Sequence, residues 1–176
     1  MNLESVVYPI FGTSMVVGHH IKRQLDVLNE ILPPEFKGRA LDDLGCGDGR
    51  ITLLLKEILR PSSLRGFDVQ PSLVRSARHR GVKARILNLN GEVPTGELAV
   101  LWGVLHHLDD PESVLQDVRS NYSFVIVREP VKYSFDSLIE LGHPMRREDI
   151  ESLTKRSLPG ASFYGLGGSV ILLYAR

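Results

Sequence analysis

Asp43-Leu44-Gly45-Cys46-Gly47-Asp48-Gly49 is the stretch on which the fold turns. Just before and into it, Arg39 to Leu44 reads as a buried strand. Downstream, Ile51, Leu54, Leu55 and Ile58 recur at helical spacing, and Pro61 closes that helix. Three glycines in five positions let a backbone reverse sharply, and they leave no Cβ beneath whatever lies over the turn. A strand, a glycine turn and a helix form the opening of a β-α-β unit.

The same pattern continues outward along the chain. Leu64 to Val69 is a second strand. Pro71 suits a first helical position, where its missing N–H costs little, and Gly81 suits the close of that helix. Val82 to Leu87 is a third strand, and Leu98 to Val104 a fourth, apolar throughout as an interior parallel strand requires. Asp110-Pro111-Glu112 reads as a cap, a first-turn proline and a first-turn acid. Val114, Leu115 and Val118 form the buried face of the helix that follows, and Tyr122 to Val127 is the fifth strand. A helix over about Arg147 to Leu158 precedes strands at Ala161–Tyr164 and Ser169–Tyr174, joined through Leu166-Gly167-Gly168. On the amino-terminal side, Ile21, Leu25, Leu28 and Leu32 mark an amphipathic helix from about His19, stopped by Pro33-Pro34.

This alternation predicts an α/β, Rossmann-like three-layer sandwich with a mostly parallel seven-stranded sheet and an antiparallel C-terminal strand. We expect one domain over residues 1–176, in which 1–35 form an N-terminal helical or lid segment. Tyr8, Phe11, His19 and His20 are the candidate lid residues.

The chain has 176 residues, and its 21 basic and 21 acidic side chains cancel. That balance exerts no pull toward nucleic acid or an anionic membrane, so neither is expected as a partner. The run Arg75, Arg78, Arg80, Lys83 and Arg85 has no interleaved aromatics and reads as a solvated face rather than an RNA platform. The single cysteine, Cys46, forms no intramolecular disulfide and fits a reducing compartment. No apolar run approaches the roughly 20 residues that span a bilayer, and a cytoplasmic protein is the expectation. The six histidines show no metal-ligand spacing, and no metal is expected.

In open α/β sheets, ligands lie at the carboxyl ends of the strands, where the strand order reverses. The first strand ends in the glycine turn. The second ends in Asp68, about 20 residues after that turn, the distance at which a carboxylate meets the ribose hydroxyls of a nucleoside. A dinucleotide is disfavoured. Its fingerprint is G-x-G-x-x-G, and counted from Gly45 the third glycine's place is held by Arg50. Asp43 and Asp48 would also repel a pyrophosphate seated on helix amides. Both suit a cationic nucleoside that carries an amino acid.

These residues resemble the class I S-adenosylmethionine-dependent methyltransferases, in their small type 11/12 branch. Asp43 to Gly49 is similar to the family's first motif. Gly66-Phe67-Asp68-Val69-Gln70-Pro71-Ser72 is similar to its second. Trp102-Gly103-Val104-Leu105-His106-His107-Leu108-Asp109-Asp110-Pro111-Glu112 resembles the segment after the fourth strand. The three stand in the family's order and spacing, over residues 38–130.

The resemblance implies S-adenosyl-L-methionine as cofactor. Gly45, Cys46, Gly47 and Gly49 would pass under its methionine part, with Asp43 acting through the loop and the amino group. Asp68 would accept from both ribose hydroxyls, with Val69 beside it. Asn88 stands where the family usually carries an acid facing the adenine amino group, and its side-chain carbonyl accepts the same hydrogen bond. Leu89 would lie at the adenine edge, and Trp102 and Gly103 at the methionine end. Glu97 replaces the family's usual Asp at the start of the fourth strand, and Ser120-Asn121-Tyr122-Ser123 replaces its usual Lys-Pro-Gly-Gly turn.

The implied activity is methyl transfer to an oxygen, nitrogen or carbon nucleophile, with a small-molecule acceptor expected. A sulfonium already carries the activation, so the protein mainly positions the nucleophile behind the methyl group. His106, His107 and Glu129, near the tips of the fourth and fifth strands, are the candidate catalytic residues. The Asn/Asp-Pro-Pro-aromatic motif that marks amide- and adenine-methylating branches does not follow the fourth strand. The alternatives are a non-catalytic cofactor-binding module or regulatory partner, a protein or RNA methyltransferase, and a nucleotide-binding oxidoreductase, against which Arg50 stands.

Overall fold

The computed structural model describes residues 15–134 and 143–176. Tyr8 and Phe11, half of the candidate lid, lie outside them. Helix α1 spans Met15–Ile31, and a single 3-10 turn at Pro34–Phe36 follows the proline pair. Then come β1 (Leu41–Leu44), α2 (Arg50–Leu59), β2 (Leu64–Asp68), α3 (Pro71–His79), β3 (Lys83–Ile86) and β4 (Leu98–Trp102). A 3-10 turn at Leu105–His107 leads to α4 (Pro111–Asn121), β5 (Phe124–Pro130), α5 (Arg147–Ser157), β6 (Ser162–Gly165) and β7 (Ser169–Ala175).

The strands form one seven-stranded sheet in the order β3-β2-β1-β4-β5-β7-β6. All pairs from β3 to β5 are parallel. β7 runs antiparallel to both β5 and β6, so it is the one reversed strand and β6 shares the direction of the first five. This is the predicted architecture.

Alternation along the strands explains how an almost continuous apolar run serves two layers. Leu41, Leu98, Val100, Ile126, Ile171 and Leu173 face Leu25 and Leu28 of α1 and Leu55 and Leu59 of α2. Leu44, Ala99, Leu101, Val125, Val127 and Leu172 face Val114, Leu115 and Val118 of α4 and Ile150 and Leu153 of α5. Val74 and Ala77 of α3 close over Cys46, Val82 and Ala84. Asp110 caps α4 as expected, its Oδ1 accepting from Ser113 N at 3.0 Å.

Two local expectations are corrected, and one connection departs from the strand–helix alternation. Leu54 is 46% exposed, because the buried stripe of α2 is Thr52, Leu55 and Leu59. β3 and β4 are joined without a helix. The connection instead sends Leu87, Leu89 and Val93 down onto the core that α4 and α5 cover. β5 continues three residues past Val127, through Arg128, Glu129 and Pro130, because β7 pairs with it along that whole length. At the amino-terminal edge of the sheet, Asp42 binds Arg65 Nε at 2.7 Å and Tyr122 Oη at 2.8 Å, which ties β1, β2 and the end of α4 together. Glu97 accepts from Ala40 N at 2.6 Å, so the longer side chain tethers the entry of β1 to that of β4.

Candidate functional site

The sheet order reverses between β1 and β4. In sheets of this kind the segments that follow such a pair leave in opposite directions, and a ligand crevice lies over their carboxyl ends. Five segments lie at the carboxyl ends of the parallel strands: the glycine turn after β1, Asp68–Gln70 after β2, Leu87–Asn90 after β3, Gly103–His107 after β4 and the end of β5.

The glycine turn is held from two sides. Gly45 N and Cys46 N both donate to Phe67 O, at 2.7 and 2.9 Å. Asp68 Oδ2 accepts from Gly47 N at 2.9 Å while its Oδ1 accepts from Gln70 N at 2.8 Å. The second strand's carboxylate therefore fixes the first strand's turn. Two glycines are obligatory here. Gly45 has φ +89°, and a Cβ on it would fall inside the Val104 isopropyl group. Gly49 has φ +85°, and a Cβ there would stand 3.1 Å from the Ala77 backbone and Val82. Cys46 turns inward over Gly66, and its thiol sits with Val82 and Ala84. Burial pushes that thiol far above its ordinary pKa. Its side chain is packing beneath the turn, and its amide already serves Phe67.

Asp43 lies under the turn, fully buried, with Thr52 Oγ1 donating to its Oδ2 at 2.5 Å. Among the described residues no basic side chain pairs with it. Loss of solvent raises its pKa to about 7, against the lowering effect of the Thr52 hydroxyl, with Asp68 adding repulsion. Asp48 behaves differently from the sequence expectation. Its Oδ2 pairs with Arg50 Nε at 2.9 Å and Arg80 at 3.4 Å, and its Oδ1 accepts from Arg50 N at 3.2 Å. Two guanidinium groups and the first amide of α2 balance its charge. Asp48 thus repels no ligand anion, and the discrimination against a pyrophosphate rests on Asp43.

The other cofactor candidates stand at or just beyond the strand ends. Val69 is 57% exposed beyond β2. Asn88 is exposed and caps its own turn, Oδ1 accepting from Asn90 N at 3.1 Å, while Leu89 packs inward. Trp102 is half-buried at the tip of β4, with the Arg128 guanidinium 5.9 Å from its ring. Gly103 N donates to Arg128 O at 2.7 Å.

The three catalytic candidates separate. Glu129 was expected at a strand tip facing substrate. It lies instead within β5, fully buried, because pairing with β7 carries the strand past it. Its Oε1 accepts from Val104 N at 2.7 Å and Leu105 N at 2.6 Å, and its Oε2 meets His106 Nδ1 at 2.7 Å. Neither the His106 nor the Glu129 side chain is reachable from solvent in this arrangement. His107 is exposed, its ring centroid 4.1 Å from that of His106. His19 and His20 sit on the outer turn of α1, the first exposed and the second half-buried.

Sequence reasoning missed Thr52, Val104 and the Arg50–Asp48–Arg80 cluster. Thr52 left one signal, a hydroxyl on the buried stripe of an otherwise apolar helix.

Residues 43–122 match the family described as methyltransferase domain. The trans-aconitate 2-methyltransferase of Mycobacterium sp. (strain KMS) is 33% identical over 63 residues, 36% of this chain and 25% of that protein. The ribosomal protein L11 methyltransferase of Paraburkholderia phytofirmans is 32% identical over 95 residues, 51% of this chain and 30% of that one. The matches thus span less than a third of those proteins' lengths. Magnesium protoporphyrin IX methyltransferase of Synechocystis PCC 6803, solved with bound SAM, superposes with a TM-score of 0.67 at 18% identity, over 91% of this chain and 80% of that one. Residues 43–122 thus resemble the methyltransferase domain family, and the chain shares the fold of the Synechocystis methyltransferase solved with SAM.

Proposed function

We propose that the chain binds S-adenosyl-L-methionine over the glycine turn and transfers its methyl group to an oxygen, nitrogen or carbon nucleophile of a small molecule. Asp43 carries this reading. A buried carboxyl whose one hydrogen-bond donor among the described residues is a neutral hydroxyl is suited to an ammonium group arriving with the ligand, and unsuited to a pyrophosphate. The residues present fit the rest of the cofactor. Asp68, at the tip of β2, stands where a carboxylate would accept from the ribose hydroxyls. Val69, Asn88 and Leu89 would flank the adenine. The backbone of Gly45, Cys46, Gly47 and Gly49 would lie under the methionine part, with Trp102 and Gly103 at its end.

When bound, the cofactor supplies a methyl group already activated on a sulfonium. What remains for the protein is to orient the acceptor, exclude water and take up a proton where the nucleophile carries one. Of the three candidate bases, His107 is the exposed one, and we assign it the proton-accepting place. A small acceptor is supported by the trans-aconitate relative's name and by the balanced charge. A protein acceptor is the second reading, supported by the relative named for ribosomal protein L11. No helix among the described residues is long and apolar enough to cross a membrane. The lone buried thiol supports a reducing, cytoplasmic setting.

Labelled-methyl transfer into a cell extract, with products sorted by size, tests the proposal. Label in the low-mass fraction is the expected result. Label in protein or RNA replaces the small acceptor with a macromolecule. Cofactor binding with no label in any fraction overturns the enzymatic reading in favour of a binding module.

A further inference from the structure

The glycine turn and the segment after β4 are the two lips of the crevice, and one side chain contact sets the distance between them. Val104 fills the space where Gly45 has no Cβ. Val104 is in turn held by its amide, which donates to Glu129 Oε1 at 2.7 Å. The same oxygen receives Leu105 N at 2.6 Å, and Oε2 of that carboxylate holds the His106 ring at Nδ1. Three groups from three consecutive residues, Val104 to His106, therefore converge on one buried carboxylate, from a strand whose own position is locked by β4 on one side and β7 on the other. His107, exposed at the lip, leans on the ring so held.

We infer that Glu129 is the positioning residue of the methyl-transfer cleft: it fixes the segment Gly103–His107, and through Val104 it sets the width of the cleft over Gly45. The inference rests on the cofactor reading above and deepens it. Glu129 touches neither cofactor nor acceptor, so its effect is confined to what the positioned segment touches. That segment borders the methionine end. The adenosine end is served by Asp68 and Asn88, on β2 and after β3, which make no bond to Glu129. Loss of the carboxylate should therefore weaken the amino-acid-bearing ligand and spare the bare nucleoside.

The Glu129→Gln variant separates this from a merely structural role. Its amide oxygen still accepts from Val104 and Leu105, but its nitrogen donates where the carboxylate accepted. His106 must then accept at Nδ1 and carry its proton on Nε2. Calorimetric titration of S-adenosylhomocysteine and of adenosine, with ring-nitrogen NMR of His106, reads both consequences. The expected result is a His106 spectrum switched between tautomers, S-adenosylhomocysteine binding weakened several-fold because the charge-assisted bonds that hold Val104 and Leu105 become weaker neutral ones, and adenosine binding equal to the parent's. Parent-like affinity for both ligands, with the tautomer switched, overturns the inference. Equal weakening of both overturns it too, since that is general loosening. A parent chain that binds neither ligand overturns the cofactor reading and the inference together. Should Glu129→Gln fail to fold, Val104→Ala decides. It removes the contact over Gly45 without touching a hydrogen bond, and a several-fold loss confined to S-adenosylhomocysteine is expected, parent-like binding being the contrary result.

Discussion

Replacing Asp43 with asparagine should make the ligand-free protein more stable at neutral pH and a poorer binder. The carboxyl is fully buried and its pKa is raised from 3.8 to about 7, chiefly by desolvation. A group whose folded pKa lies above its unfolded value holds more protons in the folded state between those two values. Unfolding free energy therefore falls as pH rises through that window. Below about pH 4 the penalty is absent; above about pH 7 it is complete. A shift of about three units, at 1.36 kcal/mol per unit, amounts to roughly 4 kcal/mol. Asparagine keeps an oxygen for the Thr52 hydroxyl and carries no charge. The variant-minus-parent difference in unfolding free energy should thus rise by roughly 4 kcal/mol between about pH 4 and about pH 8. Urea denaturation at several pH values measures it. A difference that stays flat to within about 1 kcal/mol refutes the account of Asp43 as a buried, uncompensated carboxyl. The same residue links binding to protons. An ammonium brought beside Asp43 favours its ionised form, so at about pH 6 the parent should release protons when S-adenosylmethionine binds, and the variant should release fewer. Titrations in two buffers of different ionisation enthalpy count them.

Further expectations follow from the same geometry. Asp68→Ala should lower S-adenosylmethionine affinity by about 10- to 100-fold, because ribose hydroxyls lose a charged acceptor, with calorimetry as the readout. It should also loosen the turn, since Gly47 N loses its partner. Gly45→Ala should cost about 1–3 kcal/mol of stability and abolish binding, because the new methyl group collides with Val104 at a positive φ. Tyr122→Phe removes one donor to Asp42 at the opposite edge of the sheet. It should cost about 1–2 kcal/mol in denaturation while leaving ligand affinity at the parent value.

The architecture was legible because its signals are local and redundant. Pro71, Asp110 and the proline pair after α1 mark ends by what they do to the backbone, and the glycine turn with Asp68 places a crevice without any tertiary contact being known. The misreadings came where a residue's surroundings are made by distant chain. Glu129 looked like the charged tip of a strand, yet β7 continues the ladder past it and buries it together with Arg128. Periodicity put Leu54 on the buried stripe of α2, but the sheet meets that helix along Thr52, Leu55 and Leu59. Asp48 read as a repulsive charge, because nothing local announces that Arg80, from the far end of α3, reaches it. Two adjacent histidines could not be told apart either. Only the β5 carboxylate determines that His106 goes inward and His107 faces out.

The central claim is that a sulfonium nucleoside, and not a dinucleotide, occupies the crevice over β1 and β2. Calorimetric titration of the parent chain with S-adenosylmethionine, S-adenosylhomocysteine and NAD tests it directly. One site per chain for the first two, with no measurable heat from NAD, is the predicted result. NAD binding at equal or greater strength, or no binding of either sulfur nucleoside, would contradict it.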